Sequence, residues 1–219
     1  MKKTPSTSVL LKAYYSCLFE SFGPQGWWPA NTRFEMIVGA ILTQNTAWTN
    51  VEKAISNLKG KRLLTPEKIH ALKAVELAAL IRPAGYFNIK AKRLKNFTSF
   101  LFNGCGGSLD RLLRKDSAVL RRELLDVNGV GPETADSIIL YAAGKPEFVI
   151  DAYTKRIFSR HGLTGHDAGY DEIKTLFMEN LPKDAALFNE YHALIVKTAK
   201  DYCRTKNPLC SECPLKGYL

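Results

Sequence analysis

The stretch "LLDVNGVGPETADSIILYAA", residues 124–143, places a tight turn containing two glycines between two amphipathic segments. Pro132 stands just after the turn, where the first residue of a helix is expected, and the apolar positions that follow it fall on one face. The pattern therefore predicts a helix, a hairpin and a second helix. Gly129 and Gly131 would let a ligand approach the backbone closely, and free N–H groups at a helix start suit a phosphodiester. Taken alone, a Gly-x-Gly turn is also typical of a plain connection between helices.

Most of the other long segments have the same helical periodicity. "TNVEKAISNLKG" at 49–60 keeps its apolar residues on one face and ends in glycine, while Thr65 and Pro66 form a helix start. The periodicity also predicts helices over residues 88–103, 108–125, 132–143, 152–161, 169–181 and 185–203. "EFVID" at 147–151 is too short and isolated to build a sheet. We therefore expect an all-α protein of about ten helices, with no internal repeat and no linker.

Composition and charge indicate a globular protein with a polyanionic partner. With 219 residues and 46% hydrophobic content, the chain can bury one substantial core or two smaller ones. Lys and Arg outnumber Asp and Glu by 31 to 21, and basic runs recur at 59–62, 90–95 and 111–115. The formal net charge of +10 favours nucleic acid over a membrane surface, although each run could also be a solvated helix face. We recognise no membrane span or secretion signal, and so expect a cytoplasmic protein, associated with the nucleoid in a bacterium.

Four further segments accompany the hairpin. They are "FEMIVGAILTQNTAWTNVEKAI" at 34–55, "IRPAGYFNIKAKRL" at 81–94, "FVIDAYTKRIF" at 148–158 and "CRTKNPLCSECPL" at 203–215. Over roughly residues 27–215 the chain thereby resembles the helix-hairpin-helix (HhH-GPD) DNA glycosylase superfamily, the relatives of endonuclease III. The resemblance implies an all-helical, two-lobed fold with a DNA-binding cleft between the lobes. A central helical domain at 30–142 would contain the hairpin, and residues 1–29 and 143–219 would form the second lobe, which ends in a cysteine-rich loop.

The resemblance assigns the catalytic role to Asp151. Breaking the bond between a base and deoxyribose develops positive charge on the sugar, so an ionised carboxylate stabilises the transition state and orients the attacking water. The target nucleotide must first rotate out of the duplex, because its glycosidic bond is inaccessible inside the stack. Taken alone, Asp151 is also a typical N-cap for a helix that begins near Ala152. The two roles are compatible.

The resemblance also implies the DNA contacts. The hairpin would bind the backbone of the damaged strand through five residues, Gly129, Val130, Gly131, Glu133 and Thr134. A polar residue after "ILT", either Gln44 or Asn45, would fill the space left by the rotated nucleotide. Tyr86 stands where the family usually has a leucine, and would be an aromatic wedge in the stack. "AGYF" at 84–87 could instead be a helix end with two core aromatics.

Several positions distinguish the branches of the superfamily. Bifunctional members carry a lysine where this chain has Glu133, and adenine-mismatch enzymes carry an acid where it has Ala40. Without that lysine no Schiff base can form there, which favours a monofunctional enzyme. The chain is most similar to the 3-methyladenine DNA glycosylase III branch, which shares "LTQNT", "WWP" and the glutamate. A cationic alkylated purine would stack on the indoles of Trp27, Trp28 and Trp48, although each could equally pack between helices.

Three of the five cysteines stand close together near the chain end, at Cys203, Cys210 and Cys213. They match the first part of the family's C-x6-C-x2-C-x5-C iron-sulfur loop, whose fourth position is here Leu219. The resemblance thus predicts a 4Fe–4S cluster. The alternatives are a non-cysteine fourth ligand, a shortened chain end, a lost cluster, or zinc with one ligand missing. Cys17 and Cys105 are expected to be buried or incidental.

The leading interpretation is therefore a monomeric, monofunctional glycosylase of base excision repair, acting on double-stranded DNA that contains a damaged base. One alternative is an endonuclease III-type glycosylase and lyase that acts on oxidised pyrimidines. Another is a non-catalytic helix-hairpin-helix DNA-binding protein, which would have no need of Asp151. A nuclease would need metal-binding carboxylates grouped on one face, and the sequence contains no such group.

Overall fold

The computed structural model describes residues 6–219, and these residues form helices and turns without a β-strand. The predicted all-α fold is thereby confirmed. The described part of the chain contains twelve α-helices: α1 (Thr7–Phe22), α2 (Arg33–Leu42), α3 (Trp48–Gly60), α4 (Pro66–Ala71), α5 (Ala74–Leu80), α6 (Phe87–Cys105), α7 (Leu109–Leu113), α8 (Ser117–Leu125), α9 (Pro132–Ser137), α10 (Ala152–Arg160), α11 (Tyr170–Asn180) and α12 (Ala185–Asp201). Shorter helical segments are the 3-10 turns Arg82–Ala84, Cys210–Glu212 and Pro214–Tyr218 and the π-helical Ile138–Ala142. No helix within residues 6–219 combines the length and the apolar character needed to cross a membrane.

One compact unit joins the N-terminal segment through Trp27 to Pro146–Leu219. In this unit α12 packs against α1 and α10, and α1 also contacts α11. The core is rich in aromatic rings, among which Phe148 stacks on Phe177 with ring centroids 3.8 Å apart. Tyr191 of α12 is buried in this core and donates a hydrogen bond of 2.9 Å to a main-chain carbonyl of α1. Both ends of the chain therefore contribute to a single core.

The other unit, Trp28–Lys145, holds α2 to α9. Helix α2 is its centre, because every residue from Phe34 to Leu42 is buried. This helix contacts α3, α6, α9 and the π-helical segment. Its nearly continuous apolar sequence explains the position, since a helix that is apolar on all sides is stable only when other helices surround it.

Two predicted helices differ from the observed ones. The helix predicted over 108–125 is two helices, α7 and α8, because the Asp116 carboxylate accepts a hydrogen bond from the Ala118 N–H at 2.9 Å and starts a new helix. The helix predicted over 132–143 begins as expected but widens into a π-helix at Ile138–Ala142. The hairpin between α8 and α9 has the predicted helix-turn-helix form.

Candidate active site and DNA-binding hairpin

The two glycines of the hairpin, Gly129 and Gly131, differ in backbone conformation and in packing. Gly129 has a φ of +97°, and a Cβ placed there would lie 2.3 Å from Cγ of Arg93 in α6. The turn and its packing on α6 therefore both require a glycine. Gly131 is the N-cap residue of α9 with a φ of −93°, and nothing lies within 4 Å of the place where its Cβ would be. Among the residues that the structure describes, neither the backbone conformation at position 131 nor the packing around it requires a glycine.

Gln44 connects the turn after α2 to the hairpin. Its side-chain amide donates to the carbonyl of Gly129 at 3.1 Å and to the hydroxyl of Thr134 at 2.8 Å. The guanidinium of Arg93 donates to the amide oxygen of Gln44. Both the nitrogen and the oxygen of the Gln44 side-chain amide are thus hydrogen-bonded within this unit. Val130 and Thr134 are buried, whereas Glu133 is exposed.

Asn45 and Tyr86 are exposed and share an uncommon backbone conformation. Their φ angles are +53° and +45°, in the left-handed region, where a non-glycine residue costs roughly 1–3 kcal/mol. The Tyr86 side chain is 68% exposed, which excludes the alternative that it is a core aromatic. Gln44 and Asn45, in the turn after α2, are the two candidates for filling the DNA stack. Asn45 is exposed to solvent, whereas the Gln44 side chain is hydrogen-bonded to the hairpin.

Three half-buried aromatic rings form a cluster on α2. Trp28 packs over Gly39, where a Cβ would lie 3.3 Å from the indole Nε1. Trp48, the first residue of α3, meets Trp28 edge to face with ring centroids 5.1 Å apart, and Tyr141 lies 5.3 Å from Trp28. The structure thus brings together two of the predicted pocket tryptophans and adds Tyr141. The sequence did not indicate Tyr141 as a member of this cluster, because the helical periodicity of residues 132–143 shows only which face of the helix it occupies. Trp27 belongs to the other unit and is half-buried there.

Asp151 is held at the start of α10. The residues before it, Phe148–Ile150, have no regular secondary structure but are almost fully buried, which anchors its position. Its Oδ1 accepts hydrogen bonds from the Thr154 N–H at 2.7 Å and from the Thr154 hydroxyl at 2.9 Å, so Asp151 is the N-cap of this helix. Its Oδ2 lies 3.5 Å from Nε2 of His192 in α12, and the Asp151 side chain is 12% exposed.

The surroundings of Asp151 keep its carboxylate ionised. Burial by itself would raise the pKa of Asp151, but the neighbouring His192 and the hydrogen bonds from Thr154 lower this pKa below its usual value. A charged group is therefore available in a largely water-excluded place. His192 was not found from the sequence, because it is far from Asp151 along the chain and only tertiary packing brings them together.

The C-terminal cysteines lie beside α10. Cys203 and Cys213 are buried, Cys210 is exposed, and all three line a cavity together with Leu219. The Arg160 guanidinium donates to Sγ of Cys203 at 3.2 Å and also to two main-chain carbonyls of the loop. The loop is therefore attached to α10 by an arginine as well as by apolar packing.

Cys17 lies next to this loop, although the sequence does not link them. Its thiol donates to the carbonyl of Pro214 at 3.2 Å. Burial raises the pKa of the Cys213 thiol, and the neighbouring cysteines, including Cys17, raise it further. Within residues 6–219, however, no group of three or more His, Cys, Asp or Glu side chains is arranged to hold a metal ion. With Leu219 in the fourth position, the three cysteines supply one ligand fewer than the four of the family's iron-sulfur loop.

Comparison with known proteins identifies the family. A family model described as HhH-GPD superfamily base excision DNA repair protein matches residues 38–183. The chain belongs to the HhH-GPD superfamily. This HhH-GPD protein is 54% identical over 205 residues to a candidate DNA repair glycosylase of Methanocaldococcus jannaschii, with 93% of each chain covered. It is 30% identical over 188 residues to endonuclease III of Sulfolobus acidocaldarius, covering 84% of this chain and 80% of that one.

Solved structures agree with this assignment. The 3-methyladenine DNA glycosylase of H. pylori, bound to 1,N6-ethenoadenine, has a TM-score of 0.76 and 29% sequence identity, covering 90% of this chain and 98% of that one. The similarity to the superfamily and to its 3-methyladenine branch, inferred from the sequence, is thereby confirmed. As an HhH-GPD protein, the chain is a DNA N-glycosylase of base excision repair.

Proposed function

We propose that this HhH-GPD protein is a monofunctional glycosylase that hydrolyses the N-glycosidic bond of an alkylated purine rotated out of duplex DNA. The observation that carries the proposal is the Asp151 carboxylate, which is 12% exposed and kept ionised by His192 and Thr154. A fixed negative charge in such a place is what a reaction through a cationic sugar needs.

The chemistry requires one carboxylate and one water. Thr154 occupies Oδ1 of Asp151 with two hydrogen bonds, so the oxygen that would face the sugar is Oδ2, which lies 3.5 Å from Nε2 of His192. The bond between C1′ and the base nitrogen breaks, its electron pair leaves with the base, and positive charge develops on the sugar. Water then adds to C1′ and loses its proton to solvent by way of the carboxylate. The products are a free base and an intact strand with an abasic site.

The absence of a lysine in the hairpin supports a reaction that stops at this point. Glu133 lies exposed in the first turn of α9, and a carboxylate cannot form the Schiff base with which bifunctional enzymes cut the strand. An exposed amine does follow Asp151 by about one helical turn, at Lys155. This lysine is the residue to examine if a covalent adduct is ever trapped.

The aromatic cluster supports an alkylated purine as the substrate. Trp28, Trp48 and Tyr141 bring three electron-rich rings together, and a cationic base gains about 0.5–2 kcal/mol by stacking on such a ring. A cationic base also leaves the sugar without protonation by an acid. The H. pylori relative is bound to a modified adenine, which is consistent with a purine. Trp27 stays a predicted pocket residue.

The proposed DNA contacts follow from what is exposed. The hairpin would hold the phosphodiester backbone through the main-chain N–H groups of Gly131, Glu133 and Thr134 at the start of α9. The N–H of Val130 donates to the carbonyl of Val127 at 2.9 Å, so Val130 would shape the turn without donating to the phosphate. Asn45 and Tyr86 would enter the stack as the damaged nucleotide leaves it. Gln44 would support the hairpin rather than enter the DNA, because its amide is bonded to the hairpin already.

A second candidate is an endonuclease III-type glycosylase and lyase, which the 30% identity to the Sulfolobus enzyme favours. Duplexes that each carry one defined lesion, an alkylated purine, an oxidised pyrimidine or uracil, separate the two. We expect the alkylated purine to be released, strand cleavage only after alkali, and no covalent adduct after borohydride reduction. An adduct that survives in Lys155→Ala, or strand cleavage without alkali, would favour the second candidate.

No step above depends on a metal centre. The 4Fe–4S cluster stays a prediction drawn from the resemblance. The iron content of anaerobically purified protein and its visible absorbance test it directly.

A further inference from the structure

Lys90 of α6 is a buried lysine, with 1% of its surface exposed. Its ammonium donates to the carbonyls of Leu42 and Ala84, each at 2.8 Å, and to the hydroxyl of Thr46. These three uncharged acceptors match the three N–H groups of an ammonium. Removing a charge from water is costly, so such a lysine persists only where its donors are satisfied.

The three acceptors belong to two separate segments. Leu42 is the last residue of α2, and Thr46 lies in the turn that follows it, so the two residues flank Asn45. Ala84 ends a 3-10 turn two positions before Tyr86. The Thr46 hydroxyl also donates to the carbonyl of Ala84 at 2.6 Å. One ammonium and one hydroxyl therefore join the segment that carries Asn45 to the segment that carries Tyr86.

Both of these exposed residues depend on their surroundings for their conformation. Asn45 and Tyr86 have left-handed backbones, which non-glycine residues keep only where neighbouring structure holds them. The main-chain N–H at position 90 also donates to the carbonyl of Tyr86 at 3.0 Å, which joins Tyr86 to the start of α6 whatever the side chain. Burial of the ammonium thus maintains two exposed side chains in set positions within one unit.

We propose that Lys90 is a positioning residue that holds Asn45 and Tyr86 at a fixed separation, so that both enter the DNA stack together as the damaged nucleotide rotates out. The inference rests on the proposed function. Asn45 and Tyr86 are then already ordered before DNA binds, so base rotation does not have to include the loss of their conformational entropy.

The first test compares Lys90→Met with Lys53→Met. Met keeps the length of the side chain and removes the ammonium, and Lys53 is an exposed lysine on α3 of the same unit, outside the basic runs. Single-turnover excision is measured on two duplexes, one with a base opposite the lesion and one with an abasic-site analogue there. A nucleotide without a partner is easier to rotate out. We expect Lys90→Met to lower excision about ten-fold in the paired duplex and less than about three-fold in the unpaired one. Lys53→Met should match wild type on both.

A second pair of variants keeps the lysine, in case Lys90→Met does not fold. Thr46→Val removes the hydroxyl that bonds both Lys90 and Ala84, while Thr46→Ser retains it. Thr46→Val should show the same preference for the unpaired duplex, and Thr46→Ser should restore wild-type behaviour. Equal loss on both duplexes, or no loss on either, would overturn the proposal.

Base rotation can also be followed without excision. In a duplex with 2-aminopurine opposite the lesion, fluorescence rises when that base loses its stacking, and we expect a smaller rise with Lys90→Met than with Lys53→Met. If wild type releases no base from any duplex, the proposed function fails, while this fluorescence difference still decides the role of Lys90. An unchanged rise would count against Lys90 even with an active enzyme.

Discussion

Replacing Asp151 with Asn tests the reaction chemistry most directly. The carboxylate is 12% exposed, so its interaction with a cationic sugar about 4 Å away takes place at an effective dielectric constant near 20, where two unit charges gain about 4 kcal/mol. In water the same pair would gain only about 1 kcal/mol. An amide keeps part of the dipole, so we expect excision to fall about 10²- to 10³-fold in Asp151→Asn.

The same substitution should leave the fold intact. Asn is as good an N-cap as Asp, and its amide oxygen can accept the hydrogen bonds that Thr154 donates at 2.7 and 2.9 Å. The contact with His192 loses its charge, so the stability that the ionised carboxylate contributes is lost. The melting temperature should therefore fall, while the affinity for a duplex should stay close to wild type.

The assay is single-turnover base release from a duplex with one alkylated purine, with Asp184→Asn as the matched control. Asp184 is an exposed N-cap of α12 that accepts from the N–H groups of Ala186 and Leu187. Asp184→Asn therefore measures the effect of losing an N-cap carboxylate at a site distinct from the proposed catalytic residue. A loss below about ten-fold in Asp151→Asn, or an equal loss in Asp184→Asn, would refute the electrostatic role.

Four further outcomes are expected. Gly129→Ala should lower the free energy of unfolding by about 2–4 kcal/mol in chemical denaturation, because of its φ of +97° and the Cβ contact of 2.3 Å with Arg93. Gly131→Thr should fold normally but bind lesion and plain duplex more weakly in a titration, since its side chain would extend from the exposed hairpin; unchanged affinity would remove the hairpin from the DNA contacts. Trp48→Ala should reduce excision of alkylated purines more than binding of abasic product, and equal losses would make Trp48 a core residue. Burial would raise the pKa of Asp151, but His192 and Thr154 lower it, so protonation of this carboxylate should not reduce excision until pH falls below the ordinary aspartate pKa of about 3.9. The stability that the ionised carboxylate contributes is present above that ordinary pKa and is lost as pH falls through the folded value. A pH profile of wild type against Asp151→Asn measures this.

Local patterns in the sequence were enough to predict much of the helical structure. The hairpin, the N-cap of α10 and the apolar faces of the long helices depend on residues within about four positions of each other. Where a cap competed with periodicity, as at Asp116, the pattern predicted one helix and the structure has two. The choice between Gln44 and Asn45 could not be made from the sequence, because both are polar and adjacent.

Tertiary structure decided which distant groups meet. The sequence by itself determined that a carboxylate follows a glycine hairpin and that three tryptophans and a cysteine-rich end accompany them. Packing decided that His192 faces Asp151, that the Lys90 ammonium joins two segments, and that Cys17 lies beside the C-terminal loop. The physical reason is the distance along the chain over which each kind of interaction acts. Helix periodicity and caps are interactions between neighbours along the chain, whereas burial and ion pairing depend on which helix faces come into contact, and that depends on the whole core.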